Sequence, residues 1–128
     1  AKFPYLAAWG ARRRELAALY LAAFAGVAGV TPPPVDPANE HIFHQYTIRA
    51  ERREALLAHL KSRGIGHKVY YPLALHLQPC FGYLGVRAGA LPITERATAE
   101  VVSLPIYPEL TSAQTDAVIA AVREFYQG

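Results

Sequence analysis

The chain has 128 residues, 52% of them hydrophobic and 18% charged, with a formal net charge of +3. That size and balance suit one globular domain that buries its own core, and they exclude a disordered or low-complexity polypeptide. An excess of three positive charges spread along the chain excludes the concentrated cationic surface of a nucleic-acid binder, and a single cysteine, Cys80, excludes an intrachain disulfide.

No nucleic-acid partner, no membrane and a reducing, cytoplasmic setting are therefore expected. The first element is a long helix from Pro4 to Ala25, since proline suits a first helical turn and Gly26 a helix stop. At about 100° per residue, Leu6, Trp9, Leu16, Leu19, Tyr20, Ala23 and Phe24 gather on one face, and Arg12 and Arg13 fall inside it. An apolar core does not welcome two guanidiniums, so these arginines are predicted to meet carboxylates on another domain or subunit. Gly10 inside the helix costs about 1 kcal/mol relative to alanine. The uncharged run Leu16 to Val30 follows three arginines, as in a signal peptide, but it is alanine-rich and too short to span a bilayer. An ordinary helix is the better reading.

Thr31 to Asn39 holds four prolines and is predicted to be a loop or extended linker. Apolar and β-branched residues predict a strand from His41 to Arg49, and Leu56, Leu57 and Leu60 predict a helix over Glu51 to Arg63, closed by Gly64. A short strand is predicted at His67 to Tyr71. Pro72 to Leu91 has no sustained period, and an aromatic, apolar loop of that length is expected to be functional. A helix opens at Pro92 and runs to about Val101, a strand follows over Val102 to Ile106, and Thr111 with Gln114 forms a capping box. The last helix is predicted to bury Val118, Ile119, Val122 and Phe125. The fold class is α+β: a small three-stranded sheet flanked by helices, with a long N-terminal helix. Helix-length connections permit parallel pairing, and short strands permit antiparallel or mixed pairing, so pattern leaves the strand directions open.

Few residues are placed for chemistry. His41 and His44 on a strand would point to opposite faces, so no metal site is predicted and each is read as a capped or core histidine. His76 and Cys80 lie close in sequence but lack a third orienting group, which favours a plain buried cysteine. Lys2, Lys61 and Lys68 are read as solvated surface charges. No catalytic residue is assigned. The better candidate is the exit from the predicted strand, Tyr70 to Pro79, where two phenols, an imidazole and an amide lie between prolines. Those donors and acceptors suit a polyol or a phosphate, with a packed aromatic loop as the equal alternative.

Taken in order, several motifs resemble the C-terminal part of the DegT/DnrJ/StrS aminotransferases. They are Arg13-Arg14-Glu15-Leu16-Ala17-Ala18-Leu19-Tyr20, then His41-Ile42-Phe43-His44-Gln45-Tyr46-Thr47-Ile48-Arg49, then Gly64-Ile65 with Val69-Tyr70-Tyr71-Pro72. Leu75-His76-Leu77-Gln78-Pro79 and Ser103-Leu104-Pro105-Ile106-Tyr107-Pro108-Glu109-Leu110-Thr111 with Gln114 complete the series. The resemblance implies the small domain of a fold-type I enzyme of the aspartate-aminotransferase fold. Residues 1–30 would be an interdomain helix and its end, and residues 31–128 the small domain, in one structural unit. It further implies a homodimeric parent that uses pyridoxal phosphate to move an amino group, commonly from glutamate, onto a nucleotide-linked keto sugar. The Schiff-base lysine, the aspartate that pairs with the pyridine nitrogen and the phosphate-binding serine would lie upstream in a large domain. This chain alone would then be inactive and bind no cofactor. Within the matching motifs the resemblance makes His76 a substrate-binding residue, with Tyr71 a second choice. Ala74 stands where the family often has proline, and Tyr70 where it frequently has histidine. The alternative is a free-standing regulatory or binding module that kept the fold without catalysis.

Overall fold

A computed structural model of the chain describes residues 1–128. Pro4 lies in a 3-10 turn over Phe3–Tyr5 that leads into α1 (Leu6–Phe24), and Gly26 follows the helix at φ +74°, a conformation that favours glycine. The buried stripe of α1 is Leu16, Ala17, Tyr20 and Phe24. It is narrower than the pattern predicts, because Leu6 and Leu19 remain 53% and 50% exposed. Leu19 lies off the stripe, whereas Leu6 is in line with it but beyond the part of the helix that the rest of the chain covers.

Arg13 also lies in line with that stripe, and it has partners within this chain. Its Nη1 donates to the backbone carbonyls of Phe43 at 3.2 Å, His44 at 3.3 Å and Ile106 at 2.8 Å. Arg12 pairs with Glu15 at 3.0 Å and donates to the Leu110 carbonyl at 3.1 Å. The guanidiniums thus meet acceptors of this same chain. Carbonyls of irregular backbone need donors as much as a half-buried guanidinium needs acceptors, and each solves the other's deficit.

The three strands form an antiparallel sheet in the order β1 (Val30–Thr31), β2 (Tyr46–Ala50), β3 (Val101–Leu104). Val30 pairs with Ala50 on one side of β2, and Tyr46, Thr47, Ile48 and Arg49 pair with Leu104, Ser103, Val102 and Val101 on the other. Two strand predictions need correction. The strand predicted from His41 begins only at Tyr46, because Phe43 adopts φ +45° and its N–H donates to His41 Nδ1 at 2.9 Å, which turns the chain instead of extending it. The strand predicted at His67 to Tyr71 shrinks to a single bridge between Lys68 and Ser103. The third strand is instead β1, which pairs with β2 on the opposite edge of the sheet from that bridge and lies at the edge of the proline-rich segment where a loop is predicted.

Alternation along β2 sends Tyr46, Ile48 and Ala50 inward with Val102 and Leu104 of β3, where they join α1, α2 (Arg53–Ser62) and α4 (Ser112–Gln127) in one core of 19 buried residues. On the opposite face, the Thr47 and Ser103 hydroxyls hydrogen-bond at 2.8 Å. The capping box of α4 forms as predicted: Gln114 N–H donates to Thr111 Oγ1 at 3.2 Å, and Thr111 N–H donates to Gln114 Oε1 at 3.0 Å. Val118 and Val122 of α4 are buried, and Ile119 and Phe125 pack partly buried against the same core. α3 (Pro92–Glu100) runs directly into β3, so the loop before it is carried at the edge of the sheet. No helix is long and apolar enough to cross a membrane.

Candidate functional site

The segment between Lys68 and α3 holds the candidate residues. It is more ordered than the absence of period suggests, with 3-10 turns over Leu75–Leu77 and Pro79–Leu84. Ala74 is 2% exposed and anchors the first turn, and its carbonyl accepts from Leu77 N–H at 2.9 Å. Pro79 opens the second turn, where its missing N–H removes no helical hydrogen bond.

His76 is held by this loop's own far end. Its Nε2 lies 3.0 Å from Glu95 Oε1, and the imidazole side chain is only 7% exposed. The same carboxylate accepts from Gly89 N–H at 2.9 and 3.0 Å and from Leu91 N–H at 3.2 Å. One acid in the first turn of α3 therefore ties together both ends of this long loop. Gly89 reaches it at φ +87°, where a residue bearing a Cβ would be strained. Sequence reasoning missed Glu95, although an acid in the first turn of a helix opened by proline is a recognisable signal.

The Gly89 N–H, followed by the His76 contacts, holds the Glu95 carboxyl below the usual carboxylate range. A folded-state value lower than the unfolded one means that ionised Glu95 stabilises the loop above the unfolded pKa, and that this is lost as pH falls through the folded value. The Gly89 amide resonance, followed by NMR on acidification, should accordingly move with a midpoint below the usual carboxylate range. A midpoint at or above that range would contradict the clamp.

Tyr71 stands 60% exposed, and with Tyr70, Leu73, Leu75, Thr94 and Thr98 it lines a cleft of about 240 Å³. His76 does not line that cleft. The two predicted site residues thus share a loop without sharing a cavity. Cys80 is exposed, which corrects the expectation of a buried cysteine, and its Sγ lies 3.9 Å from Gln78 Oε1. No hydrogen bond joins it to His76, whose Nε2 is engaged by Glu95 instead. His41 and His44 are exposed loop residues rather than core ones. No group of three or more His, Cys, Asp or Glu side chains is placed to hold a metal.

The three lysines are all exposed, and none lines the cleft beneath Tyr71. Arg12, Arg13 and Arg14 each have a partner within the chain, Arg14 pairing with Glu40 at 2.8 Å. Deep in the core, burial raises the Tyr20 and Tyr46 phenols well above the usual range. The Tyr20 hydroxyl donates to the Pro105 carbonyl at 2.8 Å, which marks it as a packing residue.

Comparison with known proteins places this arrangement. The profile of the DegT/DnrJ/EryC1/StrS aminotransferase family matches residues 1–123. A "pleiotropic regulatory protein" of Geobacillus stearothermophilus is 48% identical over 98% of this chain, and a dTDP-3-amino-3,4,6-trideoxy-alpha-D-glucose transaminase of Streptomyces venezuelae is 40% identical over 97%. The crystal structure of S. venezuelae DesV in complex with a ketimine intermediate superposes with a TM-score of 0.96 at 38% identity, over 99% of this chain and 34% of that one. The chain spans about a third of the length of these relatives, 34% and 33% for the two sequences. With the profile, the sequence identities and the superposition all extending over nearly every residue described above, the chain belongs to the DegT/DnrJ/EryC1/StrS aminotransferase family.

Proposed function

We propose that this chain is the C-terminal small domain of a pyridoxal-phosphate-dependent aminotransferase that acts on a nucleotide-linked keto sugar, and that its own contribution is to bind the sugar. The observation that carries this reading is the DesV superposition, which covers 99% of this chain and 34% of DesV. Residues 1–30 then form the interdomain helix and its end, and residues 31–128 the small domain. The parent works as a cytoplasmic homodimer, with glutamate as the amino donor.

The residues present do not fit pyridoxal phosphate. A cofactor that forms an imine needs an amine in a water-poor cleft, and Lys2, Lys61 and Lys68 are exposed on separate segments. The cofactor's chemistry therefore belongs to the remaining two thirds of the enzyme. What this chain supplies is shape and hydrogen bonding: the loop holds the nearly buried His76 imidazole and the exposed Tyr71 phenol, groups suited to hydroxyl-rich ligands.

Adding pyridoxal phosphate to the 128-residue chain should produce no aldimine absorption band and no adduct trapped by borohydride. A stoichiometric adduct would remove the proposal. Sequencing upstream of Ala1 gives a second test, in which a continuous frame encoding a large domain with its lysine is expected. A start codon at Ala1 would favour the free-standing module. That module is the weaker reading, because the same fold occurs at high similarity within a transaminase three times as long.

A further inference from the structure

We infer that Glu95 is the positioning residue of the sugar-binding loop: its carboxylate holds His76 with the proton on Nε2, so that Nδ1 is presented as the acceptor for a hydroxyl group of the substrate. This rests on the reading that His76 meets the sugar, and it adds which atom does so and what fixes it.

An ionised carboxylate only accepts, so the nitrogen facing it at 3.0 Å must carry a hydrogen. In the neutral imidazole that leaves Nδ1 with the free lone pair. Nδ1 makes no hydrogen bond, yet it is not sealed from solvent, because the sealed and unpartnered side-chain atoms of this chain are Tyr46 Oη and His59 Nε2. One edge of the ring is locked, and the other has no partner within the chain and keeps only slight contact with solvent, the imidazole being 7% exposed.

The lock itself cannot swing. Glu95 Oε1 accepts from His76, Gly89 and Leu91, and Oε2 accepts from Gly89, so rotation of the carboxylate would break several bonds at once. The backbone under the imidazole is fixed by the 3-10 turn over Leu75–Leu77 and by buried Ala74. Both anchors are made by the chain's own hydrogen bonds and packing, which lowers the ordering cost of binding. The chemistry also selects the ligand group. In the neutral ring the lone pair at Nδ1 accepts a hydroxyl proton, the group that a sugar ring offers.

Nitrogen-15 NMR of the 128-residue chain, at a pH where imidazoles are neutral, should show His76 with its proton on Nε2 alone. In Glu95→Ala the two tautomers should mix. Finding the proton on Nδ1 in the unaltered chain would overturn the inference. Kinetics of the proposed two-domain enzyme supply the functional arm, with the sugar half-reaction and the amino-donor half-reaction measured separately. Glu95→Ala should raise KM for the nucleotide sugar about tenfold, the loss of one hydrogen bond to a charged group, and leave the donor half-reaction unchanged. Glu95→Gln keeps an acceptor oxygen and should recover part of the loss. Equal falls in both half-reactions, or none in either, would defeat the positioning role. If His76→Ala leaves the sugar half-reaction intact, the parent reading of His76 fails. If His76→Ala impairs it and Glu95→Ala does not, only the positioning role of Glu95 fails.

Discussion

Ile48→Ala should destabilise the chain by about 3 kcal/mol, within the range for deleting a fully buried isoleucine side chain. For a domain of this size that lowers Tm by about 10 °C, measurable by calorimetry or circular dichroism. Ile48 is 0% exposed on the central strand, opposite Val102, and helices close over it, so the cavity left behind has little room to collapse. Ile42→Ala is the matched control. Both isoleucines fall within one predicted strand, but Ile42 is 61% exposed on the turn before β2. Its loss should stay within about 0.5 kcal/mol. Equal effects at the two positions would mean that β2 begins earlier than Tyr46.

Arg13→Ala is the second large effect, expected at about 2–3 kcal/mol because it strips a charged donor from three carbonyls of the same chain. The two Nη1 hydrogens are shared among the Phe43, His44 and Ile106 oxygens, which lie beyond the same end of the paired strands β2 and β3. Arg13→Lys should recover only part of the loss, since an ammonium is a compact point charge and lacks the planar fork. Urea midpoints of the isolated 128-residue chain decide the matter. If Arg13→Ala left the midpoint unchanged, the arginine's true partners would lie on another body, as the sequence pattern alone predicts.

The sequence reveals the helices well and the strands poorly, for a physical reason visible in particular residues. Pro4, Gly26, Gly64, Pro92 and the Thr111–Gln114 box mark helix ends through local chemistry, and local chemistry is present in a linear string. The strands depend on pairing with distant residues. Phe43 has the composition of a strand residue, yet its positive φ follows from a turn closed by His41, and Val30–Thr31 form a strand only because Arg49 and Ala50 lie beside them. The same limit applies to the site. His76 and Tyr71 are reachable through the motif that contains them, whereas the Glu95 contact spans 19 residues and is fixed by the path of the loop between. Likewise the arginine pattern of α1 states that partners are required and cannot say whether they are side chains elsewhere or carbonyls nearby.

Helix α1 is rooted at one end and bare at the other. Its last turns, Leu16 to Phe24, are locked into the core, while Phe3, Tyr5 and Leu6 at its start stand 81%, 59% and 53% exposed. Nineteen residues make a rod about 28 Å long. Such a rod would act as a lever on the core in which it is rooted: a body packed against Phe3, Tyr5 and Leu6 would pass a displacement along the helix to the turns that hold Leu16, Tyr20 and Phe24.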